Sequence, residues 1–394
     1  MHISFALAIR MLGWIFLMPV ICGSIYCILS LFTMIWFRLV PAQQPGRHPE
    51  TWPPVTILKP VHGLEKNQRE NLRSTCLQDY PDFQVVFSVQ DPGDPAIPLL
   101  REIQNEFGSD RVSVAIEQLS CGTNGKINNM LGGLPQARHE ILVISDSDVR
   151  LRPDYLKAIV APLSEPSVGC VCTLYKAACA NTWFEKLELL TLNAEFMTNV
   201  VFAHATGFSK FCMGASAALT KSTLQAIGGL ESLGDYLVED YEMGRRIWSS
   251  GKEVAIVPYI IDTMVDLKSP SQWWSHLVYW DQNTRAARPI AFFFTAVIRS
   301  VPFALLYALL HMGTLIGLQV LAAALVLRLA TSALILGWGF RDQEGLRSLW
   351  LLPFRDLVAL ASWALAYTKR TTVWRGTEFI LTRDGRLIAR ESKP

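Results

Sequence analysis

The sequence predicts an α/β domain with a mostly parallel sheet, set between apolar segments long enough to cross a membrane. Three observations predict it. Residues 55–150 alternate short β-branched runs with helical stretches, at the spacing of strands joined by crossover helices. Two of these runs, 83–89 and 141–145, lead into carboxylates, Asp91 with Asp94 and Asp146 with Asp148. Residues 11–37 carry no charge, and the chain is strongly apolar again beyond Pro289, as bilayer-spanning helices require.

Composition agrees. The 394 residues are 51% hydrophobic with a mean hydropathy of +0.25, which suits a membrane protein carrying a polar domain. A net charge of +2 gives no basis for a nucleic-acid binder. The eight Cys show neither a CxxC pair nor Cys/His zinc spacing. Cys170 and Cys172 sit on one face of a predicted strand and read as free buried thiols of a reducing compartment.

In chain order, 1–40 reads as an N-terminal transmembrane anchor. Its apolar core is too long for a signal peptide, and no small-residue cleavage site follows. Arg10 lies before the apolar run, and Arg38, Arg47 and Lys59 lie after it, which places the N-terminus outside and the next domain in the cytoplasm. Residues 41–54, rich in Pro and polar groups, read as a linker. The α/β domain is expected over 55–288. Strands are expected at 55–58, 83–89 and 112–116, with helices at 65–77, 95–107 and 128–137 between them. The central run 141–144 is apolar and β-branched, hence a strand buried on both faces. Its Asp146-Ser147-Asp148 end reads either as a divalent-metal clamp for a diphosphate or as a solvated turn capping the next helix. Carboxylates at the carboxyl ends of such strands face the ligand crevice.

The second half is less regular. Strands are expected at 168–175, 214–219 and 254–257, with helices at 183–203, 224–227, 239–250 and 273–288. The 183–203 helix has a broad apolar side that suits either the membrane interface or a core. Glu239, Asp240 and Glu242 fill the first turn of the 239–250 helix, where acids also serve as caps. Residues 289–368 form the C-terminal membrane region, and 369–394 a basic cytoplasmic tail with Lys369, Arg370, Arg375, Arg383, Arg386, Arg390 and Lys393. If domain and tail share a side, the crossings between them are even in number, so one apolar candidate, 289–309, lies partly in the interface.

Asp91, Lys126, Asp146 with Asp148, and Asp240 together suit nucleotide-sugar chemistry. A cation neutralises a diphosphate leaving group, and a carboxylate takes the proton of an attacking alcohol. Six pieces fall in order across residues 55–290: Ile57-Leu58-Lys59-Pro60, Val89-Gln90-Asp91-Pro92, Asn124-Gly125-Lys126-Ile127-Asn128-Asn129, Asp146-Ser147-Asp148, Thr206-Gly207-Phe208 and Glu239-Asp240-Tyr241. On these the chain resembles the ceramide glucosyltransferases, membrane-bound lipid glycosyltransferases of the GT-A fold. The resemblance implies a GT-A (Rossmann-like, mostly parallel) cytoplasmic domain with N- and C-terminal transmembrane helices. It implies that Asp91 contacts the nucleoside, Lys126 helps hold the UDP-sugar donor, Asp146 and Asp148 bind Mn²⁺ or Mg²⁺, and Asp240 is the general base of an inverting transfer. The expected reaction moves glucose from UDP-glucose to the primary hydroxyl of ceramide among the membrane lipids.

One stretch departs from the family. Where it carries (Q/R)xxRW, this chain has His276-Leu277-Val278-Tyr279-Trp280, and a tyrosine cannot reproduce the bidentate fork of an arginine. Trp280 and His276 are still expected at the substrate, with Arg285 or Arg288 as replacement charges. His276 reads equally as a helix residue at the membrane surface. Alternatives stay open: a hopanoid glycosyltransferase using UDP-N-acetylglucosamine, a processive polysaccharide synthase, a non-catalytic nucleotide sensor, or a transporter. The last is disfavoured by apolar segments whose ionisable groups are only Arg328, Arg355 and Asp356.

Overall fold

The structure is a computed structural model that describes residues 2–39, 51–311, 314–368, 371–374, 377–382 and 385–389. It divides into two compact units, one formed by Met1–Leu39, Cys179–Ala205 and Leu267–Thr372, the other by Val40–Ala178, Thr206–Asp266 and Val373–Pro394. The first is helical and the second is built on a sheet.

The sheet has eight strands: β1 (Val55–Pro60), β2 (Phe83–Val89), β3 (Val112–Ile116), β4 (Ile141–Ser145), β5 (Val149–Arg150), β6 (Val168–Ala178), β7 (Ser216–Thr220) and β8 (Glu253–Met264). Their order is β3-β2-β1-β4-β7-β6-β8-β5. The first four are mutually parallel, as the strand–helix alternation predicts. Every residue of β1, β2 and β4 is buried, because helices cover both faces of a parallel sheet. Ile57 lies opposite both Val85 and Val143, so β1, β2 and β4 end along one edge. The turns holding Glu65, Asp91 and Asp146 therefore share a rim. β7 runs antiparallel to β4 and β6, while β6 and β8 are parallel, so the second half is mixed.

β8 is longer than the expected 254–257. Its pairing with β6 jumps from Val257 to Ile260, across Pro258, which has no amide to donate. The strand continues past this irregularity and its far end reaches Thr263. Two further short strands, Thr377–Leu381 and Leu387–Ala389, pair antiparallel in the stretch read from sequence only as a basic tail. The Leu387 amide donates to the Asp235 carbonyl at 2.8 Å, which attaches this hairpin to the sheet unit. Of the expected tail charges only Arg386 is described. Lys369, Arg370, Arg375, Arg383, Arg390 and Lys393 lie outside the described residues, as do 41–50 of the expected linker.

Among the described residues the helical unit contains three helices long and apolar enough to cross a membrane, Gly13–Leu39, Leu315–Gly339 and Gln343–Thr368. A further apolar pair, Pro289–Val297 and Ser300–Leu310, is bent by 45°. The long helix expected at 183–203 starts at Trp183 on a Thr182/Glu185 capping box and is interrupted by a π-helical turn at Leu192–Phe196. Its Phe184, Leu187 and Leu190 pack with Trp273, Leu277, Leu336 and Leu352. Residues 179–205 and 267–288, expected within a 55–288 domain, thus group with the apolar helices, which cover their apolar stripes. Several buried ionisable groups of this unit pair with one another. Arg328 holds Asp356 with two nitrogens at 2.9 and 3.1 Å, and Glu195 receives Arg299 at 2.7 Å and also Arg355.

Candidate active site

The rim of the sheet unit is built from four chain segments. The first is the helix Gly125–Gly133. Asn124 caps it, its side-chain oxygen accepting from the Lys126 and Ile127 amides at 2.9 and 3.2 Å. The Asn124 side-chain amide points the other way, donating to the Tyr236 carbonyl at 2.8 Å and to Glu239 at 3.1 Å. One asparagine thus starts a helix and aims an acid. Lys126, in the first turn, reaches Asp146 Oδ1 at 2.7 Å, Glu239 Oε1 at 3.1 Å and the Gly214 carbonyl at 3.2 Å. Burial opposes its charge, but Asp146 and Glu239 outweigh burial and hold the ammonium well above its usual range.

The second segment is the turn after β4. Asp148 accepts from Thr263 Oγ1 at 2.6 Å, so the length of β8 past Pro258 supplies a partner. Ser147 Oγ donates to Glu65 at 2.7 Å, which brings in a carboxylate from the loop after β1. Burial and Asp148 push Glu65 up to about 7. Burial and then Asp146 raise Asp148 as well, against the bond from Thr263. Lys59 lies fully buried beneath, its Nζ 3.2 Å from Ser145 Oγ, and burial lowers it to about 8 although Asp148 and Asp146 pull it upward.

The third and fourth segments are the stretch before β7 and the helix Glu239–Ser249. A Cβ on Gly214 would lie 2.8 Å from Asp240 Oδ2, so a glycine there lets backbone and carboxylate meet. Burial, then Glu239, raises Asp240 to about 7, opposed by Lys126. Tyr175 of β6 faces the same group, and burial with the charges of Asp240, Asp146 and Asp148 raises its hydroxyl. Among these groups five carboxylates (Glu65, Asp146, Asp148, Glu239, Asp240) meet two ammonium groups (Lys59, Lys126). The donors are oxygens and the excess is negative, which fits a hard divalent cation.

The rim thus brings Lys126, Asp146, Asp148 and Asp240 together. Asp91 stands exposed beyond β2, its Oδ1 accepting from the Gly93 amide at 2.8 Å. The neighbouring Asp94 is the turn-former, binding the Gly63 and Ala96 amides at 2.8 Å each. His276 and Trp280 belong to the helical unit, on the helix Pro270–Ala287. Trp280 Nε1 donates to His276 Nε2 at 2.9 Å, and His276 Nδ1 pairs with Glu188 at 3.0 Å. Burial opposes the imidazolium, but Glu188 prevails and raises its pKa. Sequence reasoning passed over Glu65, Thr263 and the aiming role of Asn124. Glu65 carried the one available signal, an acid just past a buried strand end.

The family model for glycosyl transferase family 21 matches residues 15–387. The chain belongs to glycosyl transferase family 21. Two curated relatives of this family-21 chain come from Caenorhabditis elegans. Ceramide glucosyltransferase 1 is 29% identical over 52% of this chain and 44% of its own length. Ceramide glucosyltransferase 3 is 22% identical over 85% of this chain and 74% of its own. The family-21 chain thus spans less than half of the first relative and about three quarters of the second. Among solved structures it is similar to a mannosyltransferase from Pyrobaculum calidifontis in complex with GDP-Man and Mn²⁺, with a TM-score of 0.59 at 18% identity, covering 92% of this chain and 98% of that one. The likeness establishes the GT-A fold for the sheet unit, as the resemblance implied.

Proposed function

We propose that the chain is an inverting glycosyltransferase that moves glucose from UDP-glucose to the primary hydroxyl of ceramide, giving β-glucosylceramide. The observation that carries this reading is Asp240, a carboxylate poised at about 7 beside an ammonium-bridged pair of acids. A general base is most effective when its pKa lies near the working pH. Asp240 accepts the proton of the attacking hydroxyl. Glu239, held by Asn124 and Lys126, keeps that carboxylate from ionising too early. Lys126 holds the donor's diphosphate side, and Asp91 contacts the nucleoside from its exposed place on the rim.

Asp146 and Asp148, with Glu65 bound through Ser147, would hold Mn²⁺ or Mg²⁺. When bound, that cation neutralises charge on the departing diphosphate. His276 and Trp280 are proposed substrate contacts on the motif alone. The protein is proposed to be a multi-pass membrane protein with its sheet unit in the cytoplasm. The bent pair at Pro289–Leu310 supports an even number of crossings after that unit, if it re-enters rather than spans.

Tyr279 in place of the family arginine leaves the donor and acceptor open to a second reading, a hopanoid acceptor with UDP-N-acetylglucosamine as donor. Full-length protein in detergent, incubated with each labelled sugar nucleotide and each lipid, decides between them by mass spectrometry of the glycolipid. Glucosylceramide that disappears in Asp240→Asn is the expected product. A glycosylated hopanoid selects the second reading, and no transfer to any lipid refutes both.

A further inference from the structure

We propose that Cys170, Cys172 and Cys212 form a binding site for a soft, thiophilic cation, Cu(I), inside the sheet unit. The site is separate from the oxygen-lined rim. Cys170 and Cys172 are two residues apart on β6 and share one face. Cys212 arrives from the stretch before β7. Its sulfur lies 3.2 Å from that of Cys170, Cys170 and Cys172 are 3.9 Å apart, and all three sulfurs lie within 4.8 Å of one another. All three are buried, with exposures of 0%, 0% and 2%.

Buried cysteines ordinarily serve as small apolar fillers and need not converge. Here three sulfurs converge on one point. A metal–thiolate bond of about 2.3 Å places three sulfurs in a trigonal plane about 4.0 Å apart, within the range found. Three thiols also cannot be consumed by one disulfide, so at least one stays free under oxidation.

The ligand set selects the ion. Structural zinc takes four ligands, and this cluster offers three, with no His, Asp or Glu among the described residues completing it. Soft thiolates select Cu(I). A monovalent ion also suits a buried place where one thiolate is favoured. The Met213 amide donates to Cys172 Sγ at 3.3 Å, a contact that favours negative charge on that sulfur. One thiolate and one Cu(I) sum to zero charge, which limits the cost of burial. The thiolate forms on binding: the Cys172 proton passes to solvent as the Cu–S bond is made, and the Cys170 and Cys212 thiols add weaker sulfur donation.

Occupancy would tie β6 to residues 212–214, and the Gly214 carbonyl is a partner of Lys126. The soft site would therefore brace the wall of the acidic rim from behind.

The test uses the full chain in detergent, reduced and kept anaerobic. Cu(I), supplied as its acetonitrile complex, is titrated in competition with bicinchoninate, with Zn(II) run in parallel. About one equivalent of Cu(I) should be retained beyond that held by C170S/C172S/C212S, which keeps the other five cysteines as background. Equal retention by the two proteins overturns the site, and retention of Zn(II) instead overturns the choice of ion. X-ray absorption on the wild-type copper complex needs no variant to fold. Three sulfurs at about 2.3 Å support the proposal, and nitrogen or oxygen ligands refute it.

Discussion

Asp240 makes the sharpest prediction, because its carboxylate must be ionised to act as a base and its pKa is raised to about 7. The acid form dominates below the midpoint and the base form above it, so activity rises with pH. With a midpoint of about 7 and no cation bound, the group is about 10% ionised at pH 6 and about 90% at pH 8, so kcat/KM rises by up to about tenfold over that range. A cation bound at the rim is positive and moves the midpoint down. Glu239→Gln removes the largest charge that raises Asp240 and should also move it down, whereas Lys126→Met removes the charge that opposes the shift and should move it up. Asp240→Asn should cost about 10²–10⁴-fold in kcat, or about 3–5 kcal/mol of barrier, while donor binding persists. The assay is radiolabelled transfer to a short-chain ceramide in detergent, with kcat/KM taken from about pH 5.5 to 9. A flat profile, shifts of one sign in both charge variants, or near-wild-type turnover in Asp240→Asn would each refute the assignment of the base.

Three further outcomes follow from the geometry. Asp148→Asn should raise the divalent-cation concentration needed for half-maximal transfer by about tenfold or more, and chelation should abolish wild-type activity reversibly, both read from metal titrations. Gly214→Ala, whose new Cβ would sit 2.8 Å from Asp240 Oδ2, should lower both kcat and the thermal midpoint, read from transfer assays and thermal unfolding. Arg328→Met should destabilise the helical unit, by less than the ~3–5 kcal/mol of a fully unpaired buried charge because Arg355 still reaches Asp356 at 3.2 Å, and adding Asp356→Met should recover much of the loss. Thermal unfolding in detergent measures both variants.

Much of the parallel half of the sheet was legible because its signals are local. β1, β2 and β4 are short apolar runs that stop at acids, and parallel order then forces their ends onto one rim. The meeting of Asp146, Lys126 and Asp240 was expected from the constellation and the resemblance, but no local signal showed what brings it about. That depends on Asn124, which links a helix cap to Glu239 across 115 residues of chain. β8 was read only over 254–257, whereas pairing with β6 resumes beyond Pro258 and delivers Thr263 to Asp148. The 183–205 stretch is amphipathic in either surrounding, and composition alone gave no reason to group it with the helical unit. The thiol cluster was half legible. Alternation placed Cys170 beside Cys172, but nothing local announced Cys212.

The four residues from Phe211 to Gly214 are hemmed in on their inner side. A Cβ on Gly244 would strike the Cys212 nitrogen at 2.2 Å, Cys212 and Met213 contact the two β6 sulfurs, and Gly214 meets both Lys126 and Asp240. Such a strip tolerates neither insertion nor bulk, so selection for a new sugar or lipid has little freedom to work through it. Variation is better accommodated at the open Asp91 turn, whose carboxylate leans on its own backbone and can be exchanged without disturbing the neighbouring strands. Along this rim the Phe211–Gly214 strip is the constrained element and the Asp91 turn the permissive one.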